Sequence, residues 1–234
     1  MSTTTLQQEF FKLANKEQAK ILQRFFKTGK GQYGEGDIFL GIKVPQIRKL
    51  VTKYQMLSIE ESLRFLKSKY HEQRLFALLL LVRKFQKVTE QEQEKIYKIY
   101  LNHMAYINNW DLVDLSAEHI IGAFIFNKPK NILKKLAKSN DLWQRRIAIL
   151  STFNFIKNGH SDETLTIAAL LLKDKHDLIH KAVGWMLREV GKRCSLKKEE
   201  EFLQEHIKTM PRTMLRYAIE KFPEEKRQYY LKAK

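Results

Sequence analysis

Apolar residues recur along this chain at helical spacing, three and four apart, and no stretch shows the strict alternation of a half-buried strand. Residues 4–27 are predicted to open the fold as one amphipathic helix, with Leu6, Phe10, Leu13, Ile21, Leu22 and Phe25 on its apolar face. Residues 28–37, TGKGQYGEGD, hold four of the nine glycines and are expected to be a loop. Pro45 suits the first turn of the next helix, where a missing N–H is harmless. Ser58 with Glu61, and Thr89 with Glu92, have the spacing of capping boxes. Pro129, Asn140, Ser161 and Pro211 mark further helix starts.

The helices form a repeat. A shift of about 36 residues brings Arg74, Trp110, Arg146, Lys181 and Arg216 into one register, and Leu78, Asp114, Leu150, Trp185 and Glu220 into the register four positions on. The expected fold is therefore all-α: a right-handed α-solenoid of about six HEAT-like helical hairpins with a basic concave face. No linker divides the chain, so residues 1–234 are expected to be a single domain with residues 1–27 as the N-terminal capping helix.

Charge sharpens this picture. The chain carries 43 Lys and Arg against 26 Asp and Glu, a formal net charge of +17. Such an excess points to a polyanion, nucleic acid before anionic membrane. Apolar runs such as residues 76–82 fall far short of the roughly 20 residues needed to span a bilayer. The start, MSTTTLQQEFFKL, lacks a signal-peptide pattern, and Cys194 is the one cysteine, so a soluble cytoplasmic protein is expected.

Trp110 and Asp114, four apart on a helix, share one face about 40° apart, whereas Asp111 points elsewhere. By itself such a pair reads as a core anchor and an interhelical ion-pair partner. Arg or Lys at the same register in neighbouring repeats argues for an exposed wall, since these rarely lie in a core unpaired. Trp185, four after Lys181, has packing as its plain reading; as a second indole on that wall it would complete a slot for a flat ring or sugar around one carboxylate. The basic residues Arg48, Arg74, Arg145, Arg146, Lys181, Arg188, Arg212 and Arg216 are the candidates for phosphate contacts along a duplex. Trp143 falls in a core register. His176 and His180 imitate a two-histidine metal motif, but with Asp177 where metalloproteases use Glu and no third ligand, so no metal is expected. Gly29-Lys30-Gly31 lacks the spacing of a phosphate-cradling loop.

At three segments the chain resembles the AlkD-type DNA glycosylases of the alkylation-repair family: Trp110-Asp111-Leu112-Val113-Asp114, Trp143-Gln144-Arg145-Arg146-Ile147-Ala148-Ile149-Leu150, and Lys181-Ala182-Val183-Gly184-Trp185-Met186-Leu187-Arg188-Glu189. Residues 39–45 and Arg48 are similar to its N-terminal pattern. The resemblance implies that Trp110, Asp114 and Trp185 form the catalytic cleft and that Arg146 holds the phosphate beside it. It implies hydrolysis of the N-glycosidic bond of cationic alkylated purines, 3-methyladenine and 7-methylguanine, in duplex DNA, leaving an abasic site. No cofactor, metal or membrane is called for, and a monomer, associated with the nucleoid when on DNA, is expected. The alternative is a non-catalytic HEAT-like module that grips nucleic acid or an acidic protein; it uses the same basic residues without needing Asp114.

Overall fold

A computed structural model describes residues 3–233. Every regular element among them is helical, as the apolar spacing predicts; the sole β feature is an isolated bridge between Ile38 and Tyr70. None of these helices is long and apolar enough to cross a membrane. The chain divides into two compact units, one ending at Ser116 and the other beginning at Ala117.

The first unit comprises α1 (Thr3–Leu13), α2 (Lys16–Phe25), α3 (Val44–Lys53), α4 (Ile59–Leu66), α5 (His71–Phe85), α6 (Glu90–Asn102), a 3-10 turn at Met104–Tyr106 and α7 (Trp110–Asp114). Helix α5 is its axis, packing on α3, α4, α6 and α7. Leu75 to Leu81 are buried, and Phe76 meets Phe10 edge-on at 5.6 Å and Phe65 at 5.6 Å. Both expected capping boxes are present: Ser58 accepts from the Glu61 N–H at 3.0 Å while Glu61 accepts from Ser58 N–H at 2.7 Å, and Thr89 and Glu92 pair likewise. Pro45 lies in the first turn of α3.

The opening helix is not continuous, which corrects the expectation for residues 4–27. Asn15 leaves helical geometry and caps α2, its Oδ1 accepting from the Gln18 N–H at 2.9 Å. The cause is the loop that crosses there. Asn15 N–H donates to the Leu40 carbonyl at 2.8 Å, and Gly41, at φ +83, lies so close that a Cβ would meet the Asn15 carbonyl oxygen at 2.1 Å. Only glycine combines that backbone with that approach. Ile21 and Phe25, expected on an inward face, are largely exposed.

The second unit opens with a π-helical turn at Glu118–Gly122 and continues through α8 (Asn131–Ala137), α9 (Leu142–Ser151), α10 (Phe153–Lys157), α11 (Asp162–Leu171), α12 (Asp177–Arg193), α13 (Leu196–His206), α14 (Arg212–Ala218), a 3-10 turn at Ile219–Lys221 and α15 (Glu224–Lys232). Helix α12 is its hub, packed by α9, α10, α11, α13 and α14. Its approach to α14 needs Gly184, where a Cβ would stand 2.4 Å from the Met214 carbonyl oxygen. Trp143 is buried, as its register predicts, and Asp141 caps α9 through the N–H groups of Trp143 and Gln144. His176 caps α12 by accepting from the Leu178 N–H at 3.1 Å, and the His180 ring contacts the Asp174 carbonyl, so both histidines serve local structure.

Candidate active site

In the first unit, Trp110 and Asp114 occupy the two ends of α7, both half-buried. Asn109 sets the start of this helix, with its Oδ1 accepting from the Trp110 N–H at 2.9 Å. The indole stacks on Phe26, with centroids 5.1 Å apart and planes 18° from parallel, and meets Phe25 edge-on at 5.9 Å. Asp114 lies near enough to Tyr100 to act on it: burial pushes the Tyr100 phenol up, and the Asp114 charge adds to that. The buried phenol shares a 3.0 Å hydrogen bond with Ser116.

Beneath α7 lies a buried ionic cluster that sequence reasoning missed. His71 Nε2 is 2.8 Å from the Asp111 carboxylate and Nδ1 is 3.0 Å from the Asp37 carboxylate. Asp37 also pairs with the Arg74 guanidinium and accepts from Asn109 at 3.1 Å. Burial opposes charge on the imidazole, yet the Asp111 and Asp37 carboxylates outweigh it and raise its pKa to about 9. For Asp37 burial acts upward, but hydrogen bonding from His71 and the Arg74 charge hold its carboxyl below the usual carboxylate range. The adjacent Glu72 turns the other way and accepts the N–H groups of Leu40, Gly41 and Ile42 at 2.9, 2.8 and 3.1 Å. The only hint in the sequence is the run His71-Glu72-Gln73-Arg74 opening a helix whose middle, residues 75–82, is apolar; nothing marks Asp37 at the end of a glycine-rich loop.

This cluster corrects the reading of Arg74. It was expected on an exposed wall, but it is 4% exposed, and its guanidinium is taken by Asp37, the Ser68 carbonyl and Asn108. The premise that an arginine avoids the core holds only for an unpaired one. Arg48, on α3, is exposed.

In the second unit, Trp185 is half-buried on α12, its ring 5.7 Å from Phe153. Arg146 also departs from expectation: it is 5% exposed and donates to the Leu178 carbonyl at 2.5 Å. Arg145 pairs with Asp174 at 2.6 Å and holds the carbonyls of Ser139 and Asn140. Lys181 pairs with Asp177 at 2.7 Å, Arg188 with Glu220, and Arg212 donates to the Leu231 carbonyl at 3.1 Å. Arg216 is exposed. The register is thus buried at Arg74 and Arg146, half-buried at Trp110 and Lys181, and open at Arg216. Among the described residues, no group of three His, Cys, Asp or Glu side chains is arranged to hold a metal ion.

Comparison with known proteins decides the family. The family model for DNA alkylation repair enzymes matches residues 6–222, nearly the whole chain and both units. The chain belongs to the DNA alkylation repair family. Family membership makes DNA alkylation repair its role. Among solved structures, the fold is similar to a predicted DNA alkylation repair enzyme from Enterococcus faecalis, with a TM-score of 0.71 at 17% identity, covering 90% of this chain and 97% of that one. It is also similar to AlkD2 from Streptococcus mutans, with a TM-score of 0.54 at 16% identity over 89% and 99% of the two chains. At these identities the likeness is one of fold, and it agrees with the expected all-α repeat. No curated protein matches the sequence.

Proposed function

We propose that this member of the DNA alkylation repair family is a monofunctional glycosylase that hydrolyses the N-glycosidic bond of cationic alkylated purines in duplex DNA. The observation that carries this reading is the pairing on α7 of a stacked, half-buried indole with a carboxylate one turn away. An N3- or N7-alkylated purine already bears positive charge, so it departs as a neutral base without a general acid. The sugar is what needs help, because it becomes oxocarbenium-like as the bond stretches. A carboxylate about 4 Å from that charge contributes about 4 kcal/mol at an effective dielectric near 20, on the order of a thousandfold in rate.

In this reading Asp114 supplies that charge and orients the attacking water towards C1′. The Trp110 face lies along the deoxyribose, where its π-electrons favour the developing cation. Trp185 is assigned a second aromatic contact to DNA. Phosphates are assigned to cations with solvent exposure, Arg48, Arg216 and Lys181, rather than to the buried Arg74 and Arg146. No amine nucleophile is invoked, so the product is an abasic site in an uncut strand. Incubation of the protein with methylated duplex tests this: released 3-methyladenine or 7-methylguanine with an intact backbone is expected. Retention of all methylated bases by a protein that binds the duplex would establish the non-catalytic alternative.

A further inference from the structure

Helix α7 is five residues long, and one helical turn does not hold its own shape in water. Something outside it must fix the indole and the carboxylate it carries. On one side, Phe26 stacks on Trp110, Phe39 stacks on Phe26 at 4.9 Å, and His71 stacks on Phe39 at 4.3 Å. On the other side, α7 is tied to the ionic cluster twice. Asp111 joins His71 directly, and Asn109 both caps α7 and donates to Asp37.

We infer that His71 is a positioning residue for glycosidic-bond cleavage: an imidazolium clamped between Asp37 and Asp111 that holds α7 in the one conformation presenting Trp110 and Asp114 together. Its chemical consequence rests on the glycosylase reading; the clamp itself does not. Both ring nitrogens face carboxylates, which only a doubly protonated ring satisfies. The charges facing the ring are Asp37 from the loop and Asp111 from α7, with Arg74 reaching the cluster through Asp37, while Glu72 is turned to the backbone of residues 40–42 and the flanking rings of Phe26 and Phe39 are uncharged. Two carboxylates are then balanced by two cations. Loss of the ring proton breaks that balance and sets a lone pair against one carboxylate. Against the opposing effect of burial, the two carboxylates keep the proton on up to about pH 9, so the clamp is closed at neutral pH.

The test uses the full chain labelled with fluorinated tryptophan, with the Trp110 signal assigned through Trp110→Phe. Fluorine spectra across the alkaline range should show the Trp110 signal moving through a midpoint near pH 9, and His71→Gln should abolish that titration. Single-turnover excision of 7-methylguanine by His71→Gln should fall by about tenfold or more while DNA affinity stays within about twofold, since positioning acts on the chemical step. If His71→Gln does not fold, Asp111→Asn makes the same cut from the other side, and the wild-type titration needs no variant. A Trp110 signal that ignores both pH and the substitution overturns the clamp, even if excision falls. Unchanged excision overturns the positioning role. A titrating Trp110 in a protein that releases no base upholds the clamp and overturns the glycosylase reading instead.

Discussion

The cluster beneath α7 makes a strong stability prediction through Asp37→Ala. The Asp37 side chain is 2% exposed and answers three groups: the His71 imidazolium, the Arg74 guanidinium and the Asn109 amide. Removing it leaves the Arg74 guanidinium, 4% exposed, without its anion, and the His71 imidazolium, 2% exposed, with Asp111 alone. Breaking a buried pair in this way costs about 3–5 kcal/mol, because the remaining charge keeps its desolvation penalty. For a chain of this size that is a fall in melting temperature of about 6–20 °C. A surface pair in the same helical unit serves as internal control. Lys20 and Glu17, with side chains 69% and 80% exposed, should contribute no more than about 1 kcal/mol, and Lys20→Ala should shift melting by only a few degrees. Thermal unfolding followed by circular dichroism reads both. An Asp37→Ala variant that melts within about 2 °C of wild type would show that the cluster is not ionised as described.

Three further outcomes follow from the same structure. Because the His71 pKa is raised in the folded chain, its contribution to stability is full below the unfolded value near 6.5 and is lost as pH rises through about 9; urea midpoints should fall across that window in wild type and fall less in His71→Gln. Gly184→Ala forces a methyl group against the Met214 carbonyl and the Tyr217 Cβ at 2.6 Å, and should destabilise the chain by about 1–3 kcal/mol in denaturant titrations. The exposed Arg216 and the buried Arg146 should separate in DNA binding: Arg216→Ala lowers the salt slope by about one unit, whereas Arg146→Ala lowers the melting temperature and leaves the slope intact.

Much of the fold was legible because it follows local rules. The 3.6-residue apolar spacing, the Ser58 and Thr89 capping boxes and Pro45 each act within a few residues, and each appears where expected. The break at Asn15 was not legible, because it depends on a loop some 25 positions later, whose Gly41 packs into the gap. The same limit applies to the candidate site. The segment Trp110-Asp111-Leu112-Val113-Asp114 stands out in sequence, but Asp37, His71 and Arg74 are joined to it only by long-range packing. The 36-residue register misplaces Arg74 and Arg146 for one reason: like residues at like positions carry no information about their partners. One arginine is buried against Asp37 and the other donates to the Leu178 carbonyl. Asp111 was rightly separated from the Trp110–Asp114 face, though its bond to His71 lay beyond any periodicity.

The proposed chemistry turns on the Asp114 carboxylate of α7, and single-turnover excision of 7-methylguanine from duplex DNA by wild type and Asp114→Asn tests it most directly. The substitution keeps size and removes charge. Duplex affinity should be retained and the excision rate should drop on the order of a thousandfold, the value of one carboxylate about 4 Å from the sugar cation. Equal excision by the two proteins would contradict the account at its centre.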